Sequence, residues 1–88
     1  MILEKQVKVR NAMGLHTRPA TTIVKLLQNR LSDVHFTYKK ETINAKSILG
    51  ILMLAAKQHS KITITVEGED AEQTMDLIVD AFEKEFQL

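Results

Sequence analysis

The sequence predicts an α+β fold in which helices cover one face of an antiparallel sheet. Three segments alternate apolar and polar residues with a period of two, which is typical of strands with one wet face. Segments with helical spacing separate them, so the element order is β-α-β-β-α-β-α. The chain has 88 residues, is 44% hydrophobic and contains three glycines and one proline. This composition favours one globular domain spanning residues 1–88.

The strands are predicted from their alternating side chains. Their apolar positions are Val7 and Val9, then Val34, Phe36 and Tyr38, and then Ile62, Ile64 and Val66. A short fourth strand from Thr42 to Asn44 pairs with residues 33–38 through a turn at Lys39-Lys40. That turn lacks the Asn-Gly or Asp-Gly pair of a favoured two-residue hairpin, so its geometry stays open.

Three helices are predicted between and after these strands. The first spans residues 17–28 with His16 at its N-cap, because Pro19 suits a first turn and apolar residues follow at helical spacing. The second begins after Ser47, whose hydroxyl can cap it, and ends near His59. The third begins at Asp70, with Gln73 completing a capping box. Its predicted buried residues are Ala71, Met75, Ile78, Phe82 and Phe86.

Composition and charge exclude several classes of function. The net charge of +1 and the lack of basic–aromatic alternation argue against nucleic-acid binding. No apolar run has the length of a signal peptide or a membrane span, and the chain has no cysteine, so we expect a soluble, cytoplasmic protein. His35 and His59 have no companions at ligand spacing, so no metal site is expected.

The run Gly14-Leu15-His16-Thr17-Arg18-Pro19-Ala20 carries most of the functional information. The first N–H groups of a helix lack intrahelical partners, and the helix dipole is positive there. An imidazole and a guanidinium beside such an anion site can accept and hold a phosphoryl group. The alternative is a surface histidine beside a helix with an early proline and no chemistry.

The second helix is apolar nearly all round. Ile51 and Leu54 can face the core, with Ile48 and Ala55 at the margin. A third set projects from another side and consists of Leu49, Leu52 and Met53. Such an exposed cluster is typical of a protein-docking surface, unless loops or the third helix cover it. A phosphate on Ser47 would add charge beside this cluster and weaken docking.

The chain resembles the HPr family, the histidine-containing phosphocarriers of the bacterial phosphotransferase system. The resemblance covers essentially the whole length. It depends on the run from Gly14 to Ala20, the run Asn44-Ala45-Lys46-Ser47-Ile48, and Gly68-Glu69-Asp70 at the start of the last helix. The first run is highly specific in this strand-to-helix context, and the second lies at the expected separation from it.

The resemblance implies an open-faced β-sandwich, with four antiparallel strands under three helices. It implies a carrier and not an enzyme: enzyme I phosphorylates Nδ1 of His16, and the group passes to the IIA domain of a sugar permease. Arg18 and the backbone N–H groups of Thr17 and Arg18 would hold the phosphate. The implied docking residues are Ile48, Leu49, Leu52 and Met53. Ser47 matches the serine that an HPr kinase/phosphorylase modifies in many relatives.

By the same resemblance no metal or organic cofactor is needed, and a monomer is expected. Three positions depart from the family pattern. Asn29 stands where the first helix usually ends in glycine, His59 follows the second helix at another common glycine position, and Lys39-Lys40 replaces a glycine-containing turn. Asparagine tolerates a left-handed C-cap better than histidine does.

Three other functions remain open at this point. They are a carrier of the nitrogen-related branch, a small-ligand regulatory βαββα module, and an HPr fold with a purely regulatory role. The run at 44–48 favours the sugar branch over the nitrogen-related branch. Regulatory relatives often lack the acceptor histidine, which is present here as His16.

Overall fold

The computed structural model describes residues 1–87 and contains four strands and three helices in the predicted order. The elements are β1 (Ile2–Lys8), α1 (Thr17–Leu27), β2 (Asp33–Tyr38), β3 (Glu41–Asn44), α2 (Ile48–Met53), β4 (Lys61–Glu67) and α3 (Ala71–Glu83). All neighbouring strands pair antiparallel, in the spatial order β1-β4-β2-β3. The predicted open-faced α+β fold is confirmed.

The strand register separates a buried face of the sheet from a polar face. Ile64 of β4 pairs with Lys5 on one side and Phe36 on the other, and Val66 pairs with Val34. The alternate positions carry mainly polar side chains, among which the Thr37 and Thr42 hydroxyls lie 2.8 Å apart. Because side chains alternate across a strand, the period-two pattern of the sequence predicted this division correctly.

The three helices bury their apolar stripes against the sheet and one another. Ile23 of α1, Ile51 of α2 and Ile78 of α3 have no exposed surface. Phe82 of α3 meets Phe36 of β2 edge to face, with ring centroids 5.6 Å apart. Such pairs add about 0.5–1.5 kcal/mol beyond the burial of their area. This packing holds the first turns of α1 and α2 at fixed places on one side of the molecule.

The second helix is shorter than the prediction. It ends at Met53, and the N–H groups of Leu54 and Ala55 donate to carbonyls three residues back, at 3.2 and 3.1 Å. Ala55 then takes a left-handed conformation with φ of 51°, which ends the helix. His59 therefore lies in the loop before β4, where its φ is 76° and its N–H donates to the Val9 carbonyl at 2.7 Å.

The predicted capping box at the start of α3 is wrong. Asp70 is the N-cap residue, but its side chain caps nothing in its own helix. Its carboxylate accepts hydrogen bonds from the N–H groups of Leu31 (3.0 Å) and Ser32 (2.9 Å) and from the Ser32 hydroxyl. The Ser32 hydroxyl, followed by the Leu31 N–H, lowers the pKa of Asp70 to about 2. The carboxylate thus joins α3 to the loop between α1 and β2.

The C-terminal segment also differs from the predicted helix face. Phe86 is buried as predicted, but it follows the end of α3 in a left-handed conformation, with φ of 63°. The N–H of Phe86 donates to Ala81 (2.8 Å) and that of Glu85 to Phe82 (3.2 Å), which is the Schellman pattern. Glu85, with φ of 55°, takes the position that glycine usually fills.

Like His59, Lys39-Lys40 and Asn29 stand where the family pattern has glycine, and these two positions differ in conformation. Lys39 takes a left-handed conformation, with φ of 56°, in a two-residue turn between the paired residues Tyr38 and Glu41. Asn29 does not adopt the left-handed conformation; α1 ends at Leu27, and Gln28 is a right-handed C-cap. The tolerance of asparagine for the left-handed conformation is therefore not used at this position.

Candidate functional site

The loop between β1 and α1 is fixed at Gly14. This residue has φ of 70°, and a Cβ on it would collide with the carbonyl oxygen of Ala56. The next N–H, that of Leu15, donates to the same Ala56 oxygen at 2.9 Å, and the Leu15 side chain is buried. Only glycine combines this backbone conformation with so close an approach. The loop therefore presents the following residue, His16, from a rigid base.

His16 is the N-cap of α1, as the sequence predicted. Its backbone is extended, with φ of −84° and ψ of −169°, and its carbonyl accepts the N–H of Ala20 at 3.1 Å. The His16 side chain makes no capping hydrogen bond and is half-buried. Pro19 has no N–H, so the first-turn donors without a partner inside the helix are those of Thr17 and Arg18. Both residues are exposed, and both N–H groups can meet an anion on the ring.

A cleft of about 220 Å³ opens beside His16. Its walls are formed by His16, Arg18 and Pro19, by Asn11, Ala12 and Met13 of the preceding loop, and by Glu85, Phe86 and Gln87 of the C-terminal segment. The sequence predicted His16 and Arg18 as site residues, but neither the wall from the preceding loop nor the C-terminal wall. The one available signal was the burial of Phe86, because packing that ring on Phe82 (4.9 Å between centroids) also brings Glu85 to the cleft.

Ser47 caps α2, as predicted. Its hydroxyl oxygen accepts the N–H of Gly50 at 3.0 Å. The hydroxyl is half-buried and lies at the start of the apolar helix. A phosphate on this oxygen would replace the cap bond and place negative charge beside the first apolar side chains of α2.

The remaining residues of α2 divide into a buried and an exposed set. Ile51 and Leu54 face the core, as predicted. The more exposed set, here called the apolar patch, consists of the exposed Ile48, Leu49 and Met53 and of Leu52, which is half-buried and also packs against the core. Within it Leu49 is 68% and Met53 72% exposed, so the loops and α3 leave these two side chains of the apolar patch uncovered. Uncovered apolar surface of this kind is typical of docking sites.

The other two histidines lie away from this site. His35 is exposed on the polar face of β2, and His59 is exposed in the loop before β4. In the described part of the chain no three His, Asp or Glu side chains are placed to hold a metal ion. Over residues 1–87 no helix has the length and apolarity to cross a membrane.

Comparison with known proteins gives consistent matches over nearly the whole chain. The family model described as the PTS HPr component phosphorylation site matches residues 3–84. A phosphocarrier protein HPr from Chlamydia pneumoniae is 49% identical over 78 residues, which are 89% of this chain and 72% of that protein.

Solved structures agree with that match. The crystal structure of HPr-C-His from Thermoanaerobacter tengcongensis has a TM-score of 0.93 and 31% identity, covering 98% of this chain and 97% of that one. An HPr dimer from the same organism has a TM-score of 0.78 and 32% identity, covering 93% and 94%. The resemblance stated from the sequence is confirmed: this chain belongs to the HPr family, the phosphocarrier proteins of the phosphotransferase system, which are not enzymes.

Proposed function

We propose that His16 is the residue that carries the phosphoryl group, accepting it on Nδ1 from phosphorylated enzyme I and passing it to IIA domains. The observation that supports this most directly is the position of His16 at the N-cap of α1, beside the first-turn N–H groups of Thr17 and Arg18, which have no partner within the helix. The ring is free of capping bonds and opens onto a cleft that a partner protein can enter.

In the proposed step, the lone pair of a neutral His16 Nδ1 attacks phosphorus while the bond to the donor enzyme breaks. The ring keeps its proton on Nε2, and the donor keeps the electron pair of the broken bond. The new phosphoryl oxygens can accept the two N–H groups of the first turn and the guanidinium of Arg18. Charge-assisted bonds make a net contribution of about 1.5–3 kcal/mol each. Transfer to a IIA domain is the same step in the opposite sense.

The acceptor assignment is tested by intact-mass analysis after incubation with enzyme I and phosphoenolpyruvate. The wild-type chain should gain one phosphoryl group in an acid-labile, base-stable adduct, and His16→Ala should gain none. His35→Ala is the matched control, since it removes an exposed histidine from the polar sheet face and should be labelled like the wild type. Labelling of His16→Ala would contradict the proposal.

The role of Arg18 follows from its place at the cleft. Its side chain is exposed and lines the same cleft as His16, so the guanidinium can extend to a phosphoryl group on His16. Arg18→Ala should therefore slow transfer from enzyme I, while Arg18→Lys should retain part of the rate because it keeps the charge but loses the fork. Equal rates for all three chains would remove Arg18 from the mechanism.

We also propose that the apolar patch on α2 binds both enzyme I and IIA domains. Leu49→Gln should weaken binding in titration calorimetry, because Leu49 is the most exposed residue of the patch after Met53. Ile2→Gln is the control, since Ile2 is 63% exposed but pairs with Glu67 on the polar side of the sheet. Equal weakening by both variants would show a nonspecific effect of surface polarity.

Phosphorylation of Ser47 by an HPr kinase/phosphorylase is proposed as regulation of that docking. Ser47→Asp should weaken binding of enzyme I, because it places a negative charge beside Ile48 and Leu49. Ser47→Ala should bind like the wild type, since it removes the cap to Gly50 without adding charge. Equal affinity of Ser47→Asp and wild type would argue against the switch.

The choice of branch and the oligomeric state belong to the same proposal. The run Asn44-Ala45-Lys46-Ser47-Ile48 favours the sugar branch over the nitrogen-related one. The test compares the rates at which enzyme I and its nitrogen-related counterpart phosphorylate the chain, and faster transfer from enzyme I would support the sugar branch.

We keep a monomer as the proposed working form, although one similar structure is an HPr dimer. Sedimentation at micromolar concentration tests it.

A further inference from the structure

We propose that Asn11 is a positioning residue that sets the reactive orientation of His16 by holding the Gly14 carbonyl. This inference rests on the proposal that His16 is the phosphoryl acceptor. Asn11 lies five residues before His16, outside the motif that carries the family resemblance, and nothing in the sequence pattern singled it out.

The Asn11 side chain makes a short bond to the loop that presents His16. Its Nδ2 donates to the carbonyl oxygen of Gly14 at 2.6 Å. The same oxygen accepts the backbone N–H of His16 at 3.0 Å, and the N–H of Gly14 donates back to the Asn11 carbonyl at 3.1 Å. One carbonyl group thus joins the Asn11 amide directly to the backbone of His16.

That carbonyl has little freedom on its other side. Gly14 is packed against the backbone of Ala56 and Lys57, and its φ of 70° fixes the direction of the peptide. The loop is therefore held between the Ala56 backbone and the Asn11 amide. If the amide is removed, the Gly14–Leu15 peptide can tilt, and the N–H and ring of His16 move with it.

The orientation of the Asn11 amide follows from its surroundings. A flipped amide would place Oδ1 against the Gly14 oxygen, and two carbonyl oxygens repel at that distance. In the observed orientation Oδ1 is buried and has no partner among residues 1–87. An unpaired buried oxygen opposes the stability that the other bond supplies. Asn11 is therefore a poor residue for stability alone, yet it lines the same cleft as His16 and Arg18.

Positioning of this kind affects the rate of transfer more than binding. Phosphoryl transfer needs the attacking nitrogen in line with phosphorus, and a displacement of about 1 Å can cost about a hundredfold in rate. Asn11 holds the backbone and not the ring itself, so we expect a loss of about tenfold. The apolar patch on α2 is untouched, so affinity for enzyme I should not change.

The test measures phosphotransfer from enzyme I at varied carrier concentration, with Asn11→Ala against wild type. We expect kcat to fall about tenfold while KM stays within about twofold. Gln58→Ala is the matched control: the Gln58 Nε2 donates to the neighbouring Arg10 carbonyl at 3.0 Å, but Gln58 does not line the cleft. That variant should leave both constants within about twofold of the wild type.

Asn11→Asp keeps the shape of the side chain, so it still tests the proposal if the alanine variant fails to fold. Its carboxylate cannot donate to the Gly14 oxygen at neutral pH, so the same fall in kcat is expected. Amide exchange of the His16 N–H should also be faster in both variants, with thermal unfolding still cooperative. Unchanged kcat in Asn11→Ala and Asn11→Asp, an equal fall in Gln58→Ala, or a change confined to KM would each overturn the proposal.

The same experiments distinguish an error in the acceptor role of His16 from an error in the positioning role of Asn11. If wild-type chain gains no phosphoryl group on His16, the acceptor assignment itself is wrong before any variant is compared. If the wild type is labelled on His16 and the Asn11 variants transfer equally fast, only the positioning role of Asn11 is refuted.

Discussion

Gly14→Ala is the substitution that tests most directly how the His16 loop is built. Gly14 has φ of 70°, and a new Cβ would collide with the Ala56 oxygen and lie 2.9 Å from Cα of Lys57. Both obstacles are backbone atoms, so no flexible side chain can move aside. The loop must shift, and His16 lies two residues away on the same loop.

The size of the effect can be worked from two contributions. A left-handed conformation costs a residue with a Cβ about 1–2 kcal/mol. Movement of the loop away from Ala56 also breaks or lengthens the Leu15 hydrogen bond of 2.9 Å, which contributes about 1 kcal/mol. The sum is about 2–3 kcal/mol. In a chain of this size each kcal/mol lowers Tm by about 4–8 °C, so we expect a fall of about 10–20 °C.

The assay is thermal unfolding followed by circular dichroism, with Gly50→Ala as the control. Gly50 is helical, and a Cβ there would lie 3.3 Å from the Asn44 oxygen and the Ser47 Oγ. The gain in helix propensity, about 1 kcal/mol, opposes these tight contacts, so Tm should change little. Gly14→Ala melting within about 3 °C of the wild type would refute this account of the loop.

Three further substitutions test other parts of the structure. The lowered pKa of Asp70 gives stability that is fully present above pH 3.8, the ordinary pKa of this carboxyl, and is lost as the pH falls to about 2. Asp70→Asn should therefore lose less stability than the wild type over this pH range. If the free energies of unfolding in urea fall equally with pH for both chains, this is contradicted. Glu85→Gly should raise stability to urea by up to about 1 kcal/mol by relieving a φ of 55°, and a loss would count against strain there. Phe86→Ala should lower it by about 3 kcal/mol, and a loss below about 1 kcal/mol would mean that the ring packs weakly.

The parts of the fold that the sequence predicts best are those with local physical causes. Alternation of Ile62, Ile64 and Val66 with polar residues defines the two faces of a strand whatever its neighbours are. The N-cap position of His16 follows from the proline three residues on and from the apolar spacing of the helix itself. The division of α2 into buried Ile51 and exposed Leu49 follows equally from helical geometry.

The errors concern residues whose role is decided by distant parts of the chain. Asp70 has an ideal sequence position for a capping box, but the free N–H groups of Leu31 and Ser32, almost forty residues away, take its carboxylate. Similarly, no local signal says that Glu85 lines the same cleft as His16, because its place there depends on the turn that buries Phe86. Local propensity competes with tertiary contacts at such positions, and here the tertiary contacts prevail.

The site combines a rigid backbone with an adaptable side chain, and the two should affect transfer differently. Gly14, Asn11 and Ala56 hold the loop in the unphosphorylated chain, so under the proposed function they would lower the barrier that both transfer directions share. Arg18 is exposed and, in the proposed function, meets the phosphoryl group during its transfer and once it is on His16, so it would also stabilise the phosphorylated carrier itself. Loss of loop rigidity should then slow charging and discharge equally, whereas loss of Arg18 should also shift the equilibrium of phosphoryl groups toward enzyme I. A carrier needs both properties, because a site that bound phosphate tightly through a rigid cage would accept the group and fail to release it.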